Sequence, residues 1–179
     1  LAILYGVAEG ERAMRLSQSA PVVDFGAPVF WPWIPDMAPY HNRAVWPFVQ
    51  SYWIQASAKT GNEPGVLHGI AAVWRAAMMY ATNKENFVAN DGNWKGTQVN
   101  SSNMLWSLSG SLSITFRTLR GINYEGPDAI RFAPVVPKSL KAERKIEGFP
   151  YRDAVLDITV KGYGDTIKSF SIDGVQSDD

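Results

Sequence analysis

"PFVQSYWIQASAKTGNEPGVLHGIAAVWRAAMMY", residues 47 to 80, carries apolar residues at three- and four-residue spacing on both sides of a single glycine turn. Val45, Val49, Tyr52, Trp53 and Ala56 share one face and predict a helix over about 43–59. Leu67, Ile70, Val73, Trp74 and Ala77 predict another over about 64–82. Pro47 must lie in the first turn of its helix, where a missing N–H costs no bond. "KTGN" at 59–62 supplies a basic last turn and a glycine stop, and Asn62 or Glu63 caps the helix that enters through Pro64. So short a connection makes the pair an antiparallel αα-hairpin.

Upstream, Ile3, Leu4, Val7 and Ala8 keep helical spacing, which predicts a first helix over about 1–18, stopped by Pro21. The chain opens inside this pattern and without a methionine, so it is expected to be a fragment. Downstream, a fourth helix over about 102–120 has Leu105, Leu108, Leu112, Phe116 and Leu119 on one side and Ser107, Gly110, Ser111 and Ser113 around it. The small residues allow close approach of a neighbouring helix. Between the third and fourth helices lies "NKENFVANDGNWKGTQVNSS", residues 83 to 102, a polar loop longer than compact domains keep without a use for it.

The pattern changes after "NYEGPD" at 123–128. All seven tryptophans precede that turn, and beyond it period-two stretches alternate with turn residues. "IRFAPVVP", "LKAERKIEGF", "DAVLDITVK" and "IKSFSIDG" are expected to pair as a small antiparallel sheet, one layer or half of a sandwich. The expected class is α+β, with a helical unit over 1–123 and a β unit over 124–179.

Composition removes several functions. Seventeen basic residues balance seventeen acidic ones, so no overall field attracts nucleic acid or an anionic membrane. With no cysteine and only His41 and His68, neither thiolate chemistry nor a structural zinc site is expected, and no cofactor fingerprint is present. No apolar run approaches the roughly 20 residues that span a bilayer.

Chemistry-bearing residues gather instead at "PDMAPYHNRAVWPFVQSYW", residues 35 to 53, the mouth of the second helix. Indole faces there suit the C–H faces of sugar rings, and amide and imidazole groups suit hydroxyls. The same residues serve a structural reading, in which Asn42 caps the helix, Trp46 and Trp53 are core and Asp36 serves a turn. His68 reads as a structural histidine, and Trp74 with Met78 and Met79 as core packing.

"YHNRAVWPF" (40–48) resembles a stretch of glycosidases built on an (α/α)6 toroid, the six-hairpin group that includes glycogen debranching enzymes and maltose or trehalose phosphorylases. "SSNMLWSLSGSLSITFRTLRGI" (101–122) looks like the last inner helix of those toroids, and "DAIRFAPVVPKSL" (128–140) like the β cap that follows it. The resemblance implies an incomplete toroid of about four helices, and an oligosaccharide or glycoside as partner. It implies a sugar-facing wall of Trp31, Trp33, Asp36, Tyr40, His41, Asn42 and Trp46, with Trp94, Lys95 and Gln98 as further substrate contacts.

Inverting glycosidases need a general acid and a general base roughly 6.5–9.5 Å apart. The resemblance places the acid on an earlier hairpin, outside this chain, and the base in the loop before the last inner helix, residues 83–101. That loop offers Glu85 and Asp91 as catalytic carboxylates, whereas Ala89 stands where the group's glutamate is expected. Three readings follow: a hydrolytic base such as Asp91, a loop recast to bind phosphate through Lys95, Thr97, Gln98, Ser101 and Ser102, or a domain that binds without catalysis.

Overall fold

The structure is a computed structural model and describes residues 1–177. It divides into two units, Leu1–Thr115 and the chain from Phe116 onward. The fold is α+β, with helices in the first unit and small antiparallel ladders in both.

In chain order the first unit contains α1 (Gly10–Ser19), the single turn α2 (Pro39–Asn42), β1 (Ala44–Val45), α3 (Pro47–Lys59), α4 (Glu63–Tyr80), β2 (Phe87–Val88) and α5 (Leu105–Ser113). The hairpin forms, but its first helix begins at Pro47 and not near 43, since Val45 pairs in β1, and Tyr52 is exposed. Pro47 opens α3, and the Asn62 side chain accepts the Gly65 N–H at 3.1 Å to cap α4.

Glycines set how closely the helices lie. A Cβ on Gly65 would sit 2.7 Å from Ser57 Oγ, and one on Gly69 2.4 Å from Ile54 Cγ1. The partners run in opposite directions along the two helices, 57 with 65 and 54 with 69, which is the antiparallel arrangement. On another side of α3, a Cβ on Gly110 would come within 2.5 Å of the Pro47 carbonyl oxygen, so α5 rests on the backbone of α3.

That close approach decides which side of α5 is buried. Ser107, Gly110 and Ile114 turn inward, while Leu105, Leu108 and Leu112 face out, Leu105 at 77% exposure. α5 also ends earlier than expected, passing at Ile114–Thr118 into a π-helical turn. The first helix is shorter too. Gly6 takes a left-handed φ of +74°, the chain turns, and α1 starts only at Gly10, with Ile3 and Ala8 packed on Ala13 and Ala56. Met78 and Met79 are 76% and 64% exposed, which overturns their reading as core.

The mouth of α3 is held by a clip. β1 and β2 pair antiparallel, Ala44 with Val88 and Val45 with Phe87. Ala89 N–H extends the clip to Arg43 O, and Phe25 N–H reaches Ala89 O. Beneath it Val45, Phe87 and Ala89 form a core with Val23, Phe25, Ala76 and Trp94.

Among the described residues the second unit carries three two-stranded ladders in place of the expected single sheet: β3 (Ile122–Glu125) with β4 (Ala129–Phe132), β5 (Ala142–Tyr151) with β6 (Ala154–Gly162), and β7 (Phe170–Ile172) with β8 (Val175–Ser177). "IRFAPVVP" yields a strand only to Phe132, because Pro134 and Pro137 cannot donate to a ladder. In β5 and β6 the apolar side chains of Ile146, Phe149, Leu156, Ile158 and Val160 are sheltered, along with Arg144, Tyr151 and Gly162. Glu143 meets Lys145 at 3.2 Å and Lys161 at 2.9 Å among the exposed ones. No helix among the described residues is long and apolar enough to cross a membrane.

Candidate functional site

Pro39 at the start of α2 fixes the chain for one helical turn, and β1 then turns it extended before Pro47 begins α3. Tyr40, His41 and Trp46 therefore project from a short, clipped segment and pack on one another. Tyr40 lies 4.9 Å from Trp46 between ring centroids and 4.4 Å from His41. His41 stacks on Trp46 at 5.5 Å with planes 12° apart. The Trp46 N–H donates to Tyr40 O at 3.0 Å, which locks the indole in place at 7% exposure.

The wall extends onto two residues the sequence reading did not single out. Phe48 stacks on Trp106 at 5.1 Å, and Trp106 lies 5.7 Å from Trp46. Pro47 turns Phe48 back beside Trp46, and the contact of α5 with α3 at Gly110 brings Trp106 across. An aromatic in the first turn of a helix whose entry loop is already suspect was the available signal.

Glu85 closes the wall. It is 5% exposed and stands two residues before β2, so the clip that pairs β1 with β2 also carries it to the helix mouth. Its N–H donates to Ser101 O at 2.9 Å and to Asn100 Oδ1 at 3.2 Å, and its carbonyl accepts from Ser107 Oγ at 3.3 Å. Oε1 accepts from the Tyr40 hydroxyl at 2.5 Å. That bond to the carboxylate, together with burial and the nearby negative charge, pushes the Tyr40 phenol up from 10 to about 12, so it stays a donor. Oε2 has no protein donor among the described residues, which leaves one carboxylate oxygen free to accept a proton or orient a hydroxyl.

Asn100 was also missed. Its amide nitrogen reaches Asn86 O at 2.6 Å, Trp94 O at 3.0 Å and Thr97 Oγ at 3.1 Å, so one side chain gathers the loop under Glu85. A half-buried amide with this many partners specifies a loop shape that sequence spacing does not reveal.

The other expected residues separate into groups. Asn42 is buried, its Oδ1 accepting from Ile34 N–H at 2.9 Å and its Nδ2 donating to Ile34 O at 2.8 Å, so it latches the preceding loop and neither caps a helix nor lines the wall. Trp31 and Trp33 on that loop meet edge to face at 5.1 Å, with Trp31 53% exposed. Asp36 sits exposed at the loop's left-handed turn, φ +59°. Asp91 is exposed, and its Oδ1 accepts the Asn93 N–H at 2.8 Å, the geometry of a turn. Trp94 lies under Lys84, whose Nζ is 3.5 Å from the ring centroid and donates to Ser102 Oγ at 2.6 Å. Lys95 and Gln98 are exposed on the same loop, and Thr97 is buried with its hydroxyl on Trp94 O. No group of three or more histidines and carboxylates able to hold a metal ion occurs among the described residues.

No protein-family profile matches the chain, and no curated protein matches it significantly.

Proposed function

We propose that the wall of Tyr40, His41, Trp46, Phe48 and Trp106 binds a neutral saccharide and that Glu85 is the general base of a glycoside hydrolase built on this chain. The observation that carries the reading is the 2.5 Å bond from Tyr40 to a buried carboxylate inside an aromatic wall. Tyr40 holds Oε1, and Oε2 is left to take a proton from water attacking the anomeric carbon. Asp91, spent on its own turn, is the poorer base. A site recast for phosphate should offer donors without a nearby carboxylate, and Glu85 favours water over phosphate as the acceptor. The helical part is read as a sector of an (α/α) toroid. What supports this is the α3–α4 hairpin with α5 laid on α3 and a leucine stripe on α5 turned outward, where the next helix of a ring would pack.

The test is turnover by the full-length protein of a panel of aryl glycosides and oligosaccharides, with and without phosphate. Glu85→Gln should lower kcat by about 10²–10⁴-fold while folding is retained, as for loss of a general base. Asp91→Asn should leave it within a few-fold. Equal turnover by Glu85→Gln and the parent would refute the base, and a requirement for phosphate would make the enzyme a phosphorylase. Saccharide binding without turnover would leave the wall as a binding module.

A further inference from the structure

We infer that Trp106, backed by Phe48, is a second sugar platform beside Glu85, so that the site takes a neutral di- or oligosaccharide in preference to a single sugar with a small aglycone. This rests on the saccharide reading above and adds the position of the neighbouring sugar.

The rings of the wall differ in what they can still offer. Trp46 is 7% exposed, its N–H is committed to Tyr40 O and one face is covered by His41. It is a support and not a platform. Trp106 is 43% exposed, with one face stacked on Phe48 at 5.1 Å and 24°. Its indole N–H has no protein partner among the described residues, so the ring presents an open face with a free donor at its edge. A pyranose uses that pair of features, C–H groups on the face and a hydroxyl on the donor.

Trp106 is also in the right place. It precedes Ser107, whose hydroxyl holds the Glu85 carbonyl, and it lies one indole away from Tyr40, whose phenol holds the Glu85 carboxylate. His41, exposed and stacked on Trp46, offers a first plate, and Trp106 offers another supported by the same indole. The exposure of Trp106 is not a continuation of the leucine stripe. Leu105, Leu108 and Leu112 recur at helical spacing on one face of α5, and Trp106 is turned by about 100° from Leu105. The five wall residues carry no carboxylate, lysine or arginine, which suits a neutral ligand.

The experiment is capture of the full-length protein on an array of neutral mono-, di- and oligosaccharides, followed by calorimetry with the captured sugars. A disaccharide should bind the parent about 10-fold more tightly than its monosaccharide, and Trp106→Ala should erase that difference. Trp106→Leu, which keeps apolar cover on Phe48, gives the same reading should the alanine variant unfold. A disaccharide preference intact in both variants overturns the platform and leaves the saccharide reading standing. Capture of no sugar at all overturns both.

Discussion

Tyr40 and Glu85, 45 positions apart, are joined by a 2.5 Å hydrogen bond from the phenol to Oε1. The two-rung ladder between Ala44–Val45 and Phe87–Val88 makes that join possible, because it brings the helix mouth and the loop entering α5 to one edge. Neither segment forms the candidate site without the other. The mouth supplies aromatic surface, and the loop supplies the buried carboxylate.

Replacing Tyr40 tests this join directly. A phenol raised to about 12 is favoured in its protonated form by the fold, so its contribution to stability is complete below pH 10 and is lost as pH climbs from 10 through about 12. Tyr40→Phe should therefore remove one late tyrosine from the absorbance titration of tyrosinate. At neutral pH it should cost about 1.5–3 kcal/mol in a denaturant melt, the scale of a hydrogen bond to a charged group. A difference titration centred at 10 would contradict the bond.

Asn42 is expected to be structural. Asn42→Ala leaves the N–H and carbonyl of Ile34 without their partner and should destabilise the protein by about 1–3 kcal/mol. The emission of Trp31 and Trp33, on the loop it latches, should shift toward that of exposed indole. Loss of stability with unchanged tryptophan emission would show that the loop keeps its shape without the latch.

Gly110 tests the packing of α5. A methyl there meets the carbonyl of Pro47, which cannot swing aside as a side chain can, so Gly110→Ala should cost at least about 1–3 kcal/mol, the usual range for overpacking. Gly61→Ala makes a useful contrast: nothing stands near its added methyl, and its cost should come from a left-handed φ of +69° alone. Chemical denaturation of the two variants separates the mechanisms, because Gly110→Ala should also disturb Trp106 emission and Gly61→Ala should not.

These positions show what the residues alone disclose. The αα-hairpin was legible because period, proline entry, Asn62 cap and glycine stop all agree locally. The orientation of α5 was less so: its leucines look like a core face, and only the contact of Gly110 with the α3 backbone puts them outside. In the loop, Glu85 and Asp91 were both candidates, neither at the expected glutamate position, and Asp91 was the one read as a base. They are told apart by Asn100, Ser101 and Ser107, which grip the Glu85 backbone through bonds reaching up to 22 residues along the chain. The single expected sheet became separate ladders for a similar reason, since strand patterning predicts strands and not their partners.

His68 gives the last prediction, on the acid side. It lies half-buried on α4, and burial, reinforced by the positive charge of Arg75, lowers its pKa from 6.5, against smaller opposing effects from a bond to the Val23 backbone and the charge of Asp24. Its Nδ1 is buried without a partner, so a second proton there would have nothing to donate to. The unfolded chain thus binds that proton more readily than the fold does. The stabilisation from keeping His68 neutral is present above pH 6.5 and is lost as pH falls below it, toward the lower folded value. One such group limits the slope to about 1.4 kcal/mol per pH unit. His68→Gln should flatten the pH dependence of unfolding free energy just below 6.5 and leave the alkaline side unchanged, whereas an unaltered acid slope would assign that loss to the carboxylates.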